Sequence, residues 1–169
     1  MGFKVTLLSA RVARSDGTLG PEFDHLTLRI DLDELWLADV GFGDSFLDPL
    51  LLRLDIEQTQ GARKFRIVEE RNLLHMELAE NDGKWKRQYS FTLLPRRLHD
   101  FSDMCHYHQA SPQSPFTQKS ICSKATASGR ITLTDYKLII TRNGERHESR
   151  LNSEEEWRAA LKKYFDFQL

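Results

Sequence analysis

Cysteine is scarce: two among 169 residues, Cys105 and Cys122. Two thiols cannot build a disulfide framework. With no export signal they read as reduced, which implies a cytoplasmic protein. The opening "MGFKVTLLSARV" lacks a small-residue cleavage site and turns polar at once, so it is no signal peptide. Gly2 follows Met1, but "MGFKVT" reads as a strand rather than a myristoylation signal. No apolar run approaches the roughly 20 residues of a membrane span. Charge of one sign is lacking too. Lys+Arg number 24 and Asp+Glu 25, for a net charge of -1. That excludes a bulk electrostatic case for nucleic acid or an anionic membrane surface. Repeats and low-complexity segments are absent.

What is present is an ordinary globular balance, 40% hydrophobic and 29% charged, and enough chain for one domain or much of two. "FKVTLLSARV" predicts a buried strand. "RSDGTLGPEFD" reads as a loop punctuated by Gly17, Gly20 and Pro21. "HLTLRIDL" and "ELWLADV" predict strands, and "GFGDSFLDPLLL" a glycine-bearing loop into an apolar run. Three strands follow in "ARKFRIVEE", "NLLHMELAE" and "WKRQYSFTLL", with a hairpin turn at Asn81 to Gly83. "LHDFSDMCHYHQAS" is a short helical candidate and "SPQSPFTQ" a turn-rich loop. "SICSKAT", "GRITLT", "YKLIITR" and "ERHESRL" predict further strands, with Asn143-Gly144 a strong hairpin turn. A helix closes the chain. Ser153 and Glu156 form its capping box, and Trp157, Leu161 and Tyr164 its apolar face. The prediction is about nine strands and two helices. The fold class is mainly β with an α+β C-terminal part: an antiparallel β-barrel over residues 1–95, then a smaller unit over 96–169 ending in a helix.

His25 and Asp39 lie in the two-strand unit "DHLTLRIDLDELWLADVGFG". A plain two-residue turn at Asp33-Glu34 would put them on opposite faces, because side chains alternate. A three-residue loop, Leu32 to Glu34, restores a common face. It sets Leu26, Leu28 and Ile30 across from Val40, Ala38 and Trp36, and His25 diagonal to Asp39. The apolar pattern thus selects the register that pairs imidazole with carboxylate, the arrangement that fixes a tautomer and stabilises an imidazolium. Spacing alone favours an ordinary polar pair on a hairpin over a catalytic one.

Other polar clusters read as structural. Cys122 in "SICSKA" fits a small buried hydrophobe. Cys105 stands beside His106 and His108, with His99 near, but the spacing matches no structural zinc pattern. Adjacent residues on a helix do not face each other, which weighs against a Cys105–His106 dyad. Arg96-Arg97 and Lys162-Lys163 could meet coenzyme phosphates, though solvated faces are the more ordinary reading.

Two segments carry a resemblance. "EFDHLTLRI…LWLADVGFGDSFLDPLLL" and "LHDF…YHQASPQSPFTQKSICSKATASGRITL" resemble the arylamine N-acetyltransferase family, in order and over nearly the whole chain. The resemblance implies a β-barrel followed by a small α/β lid of the cysteine-proteinase-like superfold. It implies acetyl-CoA as acetyl donor, an arylamine or hydrazine as acceptor, and no metal. The family works by ping-pong acetyl transfer through a Cys-His-Asp triad. The carry-over makes His25 the base, Asp39 the orienting acid, Phe42 and Phe116 walls of the acceptor pocket, and Gly41 and Gly43 points of close backbone approach. The family nucleophile lies upstream, in an R-G-G-x-C type motif on a helical domain. "MGFKVTLL" aligns with the strand after that domain. The expectation is a truncated chain lacking the nucleophile and inactive alone. The alternatives are a non-catalytic CoA- or protein-binding module, or a fragment that complements a separate N-terminal domain. A barrel face left uncovered, with an unpaired first strand and exposed Phe3, Val5, Phe42 and Phe46, would favour self-association.

Overall fold

Alternating apolar and polar side chains set the first part of the chain. In a computed structural model, which describes residues 2–168, they form eight antiparallel strands. These are β1 (Lys4–Val12), β2 (His25–Asp31), β3 (Leu35–Ala38), β4 (Leu50–Leu51), β5 (Gln58–Gln60), β6 (Arg63–Glu70), β7 (Leu73–Ala79) and β8 (Trp85–Arg96). They lie in the order β4-β3-β2-β1-β8-β7-β6-β5, a nearly closed antiparallel barrel. The inward residues Leu8, Ala10, Leu37, Phe46, Leu50, Phe65, Ile67, Met76, Tyr89 and Phe91 make one continuous core.

The two edges of this sheet, β4 and β5, meet through side chains. The Gln58 amide accepts from Leu51 N (2.6 Å) and donates to Leu51 O (2.9 Å). Two residues on, the Gln60 amide accepts from Leu47 N and Asp48 N (2.9 and 3.1 Å) and donates to Asp48 O (2.6 Å). A primary amide carries both a donor and an acceptor, so each glutamine stands in for a strand residue.

The chain packs as two compact units, Met1–Met104 and Cys105–Leu169. The second holds the sheet β12-β11-β10-β9, built from β9 (Ile121–Thr126), β10 (Gly129–Thr134), β11 (Lys137–Arg142) and β12 (Glu145–Arg150). Helix α1 (Ser102–Ala110) follows a 3-10 turn at Leu98–Phe101, α2 is Pro115–Gln118, and α3 is Glu154–Phe165. Leu133, Leu138, Ala160 and Leu161 form this unit's core, flanked by Trp157 and Tyr164 as the helical pattern predicts.

The hairpin turn at Asn143-Gly144 forms, with φ of 50° and 85°, the left-handed pair that suits the strand twist. Four expectations need correction. First, β1 is not unpaired: it pairs with β2 on one side and β8 on the other. Second, Phe46 is buried at 5% exposure against Phe65, because its loop folds back over the barrel. Phe42 is half-buried, whereas Phe3 and Val5 are exposed. Third, twelve strands form among the described residues; β4 and β5 escaped prediction, being too short and, in β5, too polar to alternate. Fourth, the capping box is displaced. Ser153 Oγ accepts from Glu156 N (3.2 Å), but the Glu156 carboxylate accepts from Asn152 N (2.8 Å).

One buried histidine gives the barrel a pH dependence. His75 on β7 is 2% exposed, with Nδ1 2.6 Å from Ser90 Oγ. Glu70 Oε2 lies 4.0 Å from its Nε2. Burial first, and then the charge of Arg87, hold its pKa below the usual 6.5. The folded state therefore binds fewer protons than the unfolded chain just below that pH. Its contribution is fully present above about 6.5 and is lost as the pH falls toward the depressed value. Urea midpoints of the barrel measured from pH 7.5 down to 5.5 should decline less for His75→Gln than for the parent. Parallel declines would remove His75 as the cause.

Candidate active site

His25 opens β2, opposite Ala10 of β1. The expected three-residue loop closes the β2–β3 hairpin: Leu32 N donates to Glu34 O (3.0 Å). Leu28 then faces Ala38 and Ile30 faces Trp36, the predicted register. The third expected pair, Leu26 with Val40, does not form, since β3 ends at Ala38. The cause is Asp39. Its Oδ1 accepts the backbone N–H groups of Gly41 (3.1 Å) and Phe42 (3.2 Å). That local turn competes with the ladder and lifts the chain off the sheet. Val40 is left 92% exposed.

The other oxygen of the same carboxylate, Asp39 Oδ2, meets His25 Nε2 at 2.6 Å. The Asp39 side chain is 2% exposed and that of His25 13%. With Nε2–H donated to a carboxylate, Nδ1 is the ring nitrogen that can accept a proton. Two aromatic rings enclose the imidazole: Phe42 at 4.9 Å and Tyr89 at 5.4 Å, themselves 4.9 Å apart. Gly43 has φ 59°, a conformation glycine adopts without strain, and a Cβ on Gly41 would meet nothing within 4 Å.

Tyr89, on β8, was not anticipated. An aromatic in an alternating strand looks like any core residue. It is fully buried, and its hydroxyl lies 3.4 Å from Thr27 Oγ1, which donates to Ala38 O (3.1 Å). Burial first, and then the charge of Asp39, raise its pKa well above the usual 10.0. The phenol keeps its proton. The carboxylate is thus held by donors from β2 and its own turn, beside the charge-excluding Tyr89 ring.

The remaining predicted residues lie in the second unit. Phe116 is on α2, 62% exposed, edge-on to His108 at 4.9 Å. The cap of α2 comes from Ser114, whose Oγ accepts from Phe116 N (3.2 Å). Cys105 is exposed and Cys122 half-buried; the Cys105 sulfur accepts from the Gln109 amide at 3.3 Å. Among the described residues, no helix is long and apolar enough to cross a membrane.

Known proteins resemble this chain in sequence and in fold. A family model described as N-acetyltransferase matches residues 1–169. Arylamine N-acetyltransferase 1 of Homo sapiens is 33% identical over 195 residues, covering 100% of this chain and 67% of the human protein. The structure of the arylamine N-acetyltransferase from Salmonella typhimurium superposes with TM-score 0.89 at 27% identity, over 97% of this chain and 61% of that one. The fold is also that of the Mycobacterium marinum enzyme in complex with CoA, with TM-score 0.87 at 23% identity over 98% and 63% of the two chains. The chain thus spans a little under two thirds of those structures. It belongs to the arylamine N-acetyltransferase family.

Proposed function

We propose that this chain supplies the base, the orienting acid and one aromatic wall of an enzyme that moves an acetyl group from acetyl-CoA to an arylamine or hydrazine. The observation that carries the reading is the 2.6 Å contact of His25 with the buried Asp39 beneath Phe42. His25 Nδ1 takes the proton of a cysteine thiol, and Asp39 steadies the imidazolium that forms. The thiolate attacks the acetyl carbonyl, the bond to the CoA sulfur breaks, and CoA leaves as a thiol. The amine then attacks the acetyl-cysteine carbonyl and gives up its proton to His25; the bond to the cysteine sulfur breaks, releasing the amide and the thiolate. The thiol belongs to a part of the family architecture that these 169 residues do not span. Gly41 and Gly43 keep the loop low beside the acceptor. The expected boundary between residues 95 and 96 falls inside β8 (Trp85–Arg96), ahead of the division between the compact units Met1–Met104 and Cys105–Leu169.

The acceptor reading is tested without turnover. In an NMR titration of the chain with 4-aminobenzoic acid, the amides of Gly41, Phe42 and Gly43 should shift. Phe42→Ala should weaken binding roughly tenfold, the scale of one aromatic contact with its buried area. A titration that leaves these three amides unmoved would remove the acceptor site. Exposed Phe3 and Val5 support a sticky face, which light scattering would register as a dimer; a monodisperse monomer would count against it.

A further inference from the structure

We propose that Gln58 and Gln60 are positioning residues: their side-chain amides fasten the loop that carries Phe42, and so set the ring over His25. The proposal rests on Phe42 being the acceptor wall.

The loop from Asp39 to Leu50 is held at two ends. At the first, the Asp39 carboxylate gathers the amides of Gly41 and Phe42. At the second, Gln60 binds the backbone of Leu47 and Asp48 through three hydrogen bonds, and Gln58 binds both backbone groups of Leu51. Arg63, at the start of β6, reaches the carbonyls of Asp44 (2.7 Å) and Ser45 (3.0 Å) between them. Close packing anchors this loop at Phe46, which is buried against Phe65, but not at the stretch that follows it. A cavity of about 210 Å³ opens under the loop, lined by Ser45, Leu47, Gln60 and Phe65. The Ser45 hydroxyl there is buried without a protein partner. Directional bonds from β5 therefore add to the Phe46 anchor and fix the stretch from Leu47 to Leu51. An apolar residue at either glutamine would keep the volume and lose the direction. The spacing of the two glutamines, two residues apart, sends both amides to the same side of β5.

The test is NMR on the 169-residue chain with Gln60→Leu and Gln60→Glu. Leucine removes all three hydrogen bonds. Glutamate keeps the two it accepts and loses the one donated to Asp48 O. Amide exchange at Leu47 and Asp48 should accelerate about tenfold or more with leucine and less with glutamate. The His25 ring-proton shifts, set by the Phe42 ring 4.9 Å away, should move toward those of Phe42→Ala in the same order. Methyl shifts of Ile67 and Met76 in the core should stay put. If Gln60→Leu does not fold, Gln60→Glu carries both readouts. Faster exchange with unmoved His25 protons would overturn the proposal, as would unchanged exchange. Failure of the acceptor reading looks different: Phe42→Ala still moves the His25 protons, but 4-aminobenzoic acid leaves Phe42 unaffected.

Discussion

Mixed with acetyl-CoA and an aromatic amine, this chain alone should release no CoA above the uncatalysed background. Removing the nucleophile from a catalytic triad costs on the order of a million-fold in rate, because the covalent intermediate cannot form. The two cysteines present offer no substitute in their surroundings. Cys105 stands on an exposed helix face with its sulfur beside Gln109, and Cys122 flanks the core of the second sheet. Neither has an imidazole hydrogen-bonded to it among the described contacts. The measurement is CoA release by thiol titration, with Cys105→Ala and Cys122→Ala alongside. Turnover by the parent that vanished in either variant would locate the nucleophile inside the chain and undo the proposed division of the triad. Turnover restored by a separately supplied helical domain, and lost again with His25→Ala, is the outcome the proposal expects.

Asp39→Asn should be the most damaging single change that leaves the chain its shape. In the whole enzyme it should cut acetyl transfer on the order of 10⁴-fold, the loss seen when an orienting carboxylate becomes an amide and the imidazole takes the wrong tautomer. Binding of the acceptor should hardly change. Asp39→Ala acts on stability as well. It strands His25 Nε2 and the half-buried Phe42 N–H, while the exposed Gly41 N–H turns to solvent. Breaking such a buried, charge-assisted set costs about 3 kcal/mol. Denaturant unfolding of the barrel measures it. An Asp39→Ala chain as stable as the parent would mean that the carboxylate holds no structural bonds of consequence. A whole enzyme with Asp39→Asn at near-parent kcat would remove Asp39 from the catalytic roles.

The parts of this architecture legible in the sequence are those written in side-chain periodicity. Leu28, Ile30, Trp36 and Ala38 fix the β2–β3 register, because one buried face tolerates no slip. The His25–Asp39 contact lies just beyond that ladder, where the turn made by Asp39 completes it. What escaped prediction is written in polar side chains that imitate backbone. β5 reads "QTQ" and shows no apolar alternation, yet its glutamines bridge the two sheet edges. Asp39 ends its own strand by capturing two amides, a choice between turn and ladder that hydropathy does not record. Phe46 looked uncovered because nothing local in "GFGDSF" says that the loop folds back. Tyr89 carried no signal of its own, since its partners lie on strands far away in sequence.

The strand order has a consequence for how the barrel assembles. β1 to β4 and β5 to β8 are two meanders of adjacent hairpins, joined where β1 pairs with β8. Ala10 finds Phe91 there, across most of the barrel's length in sequence. Local hairpins close on microsecond scales, whereas distant pairings wait on a costly loop closure. The two meanders should therefore form early and dock late. Neither owns a core, since Leu8, Leu37 and Leu50 come from one and Phe65, Ile67 and Tyr89 from the other. His25, Asp39 and Phe42 ride on the first meander and Tyr89 on the second. The histidine and its acid are neighbours as soon as one hairpin folds, but their aromatic floor arrives only with the last and slowest pairing.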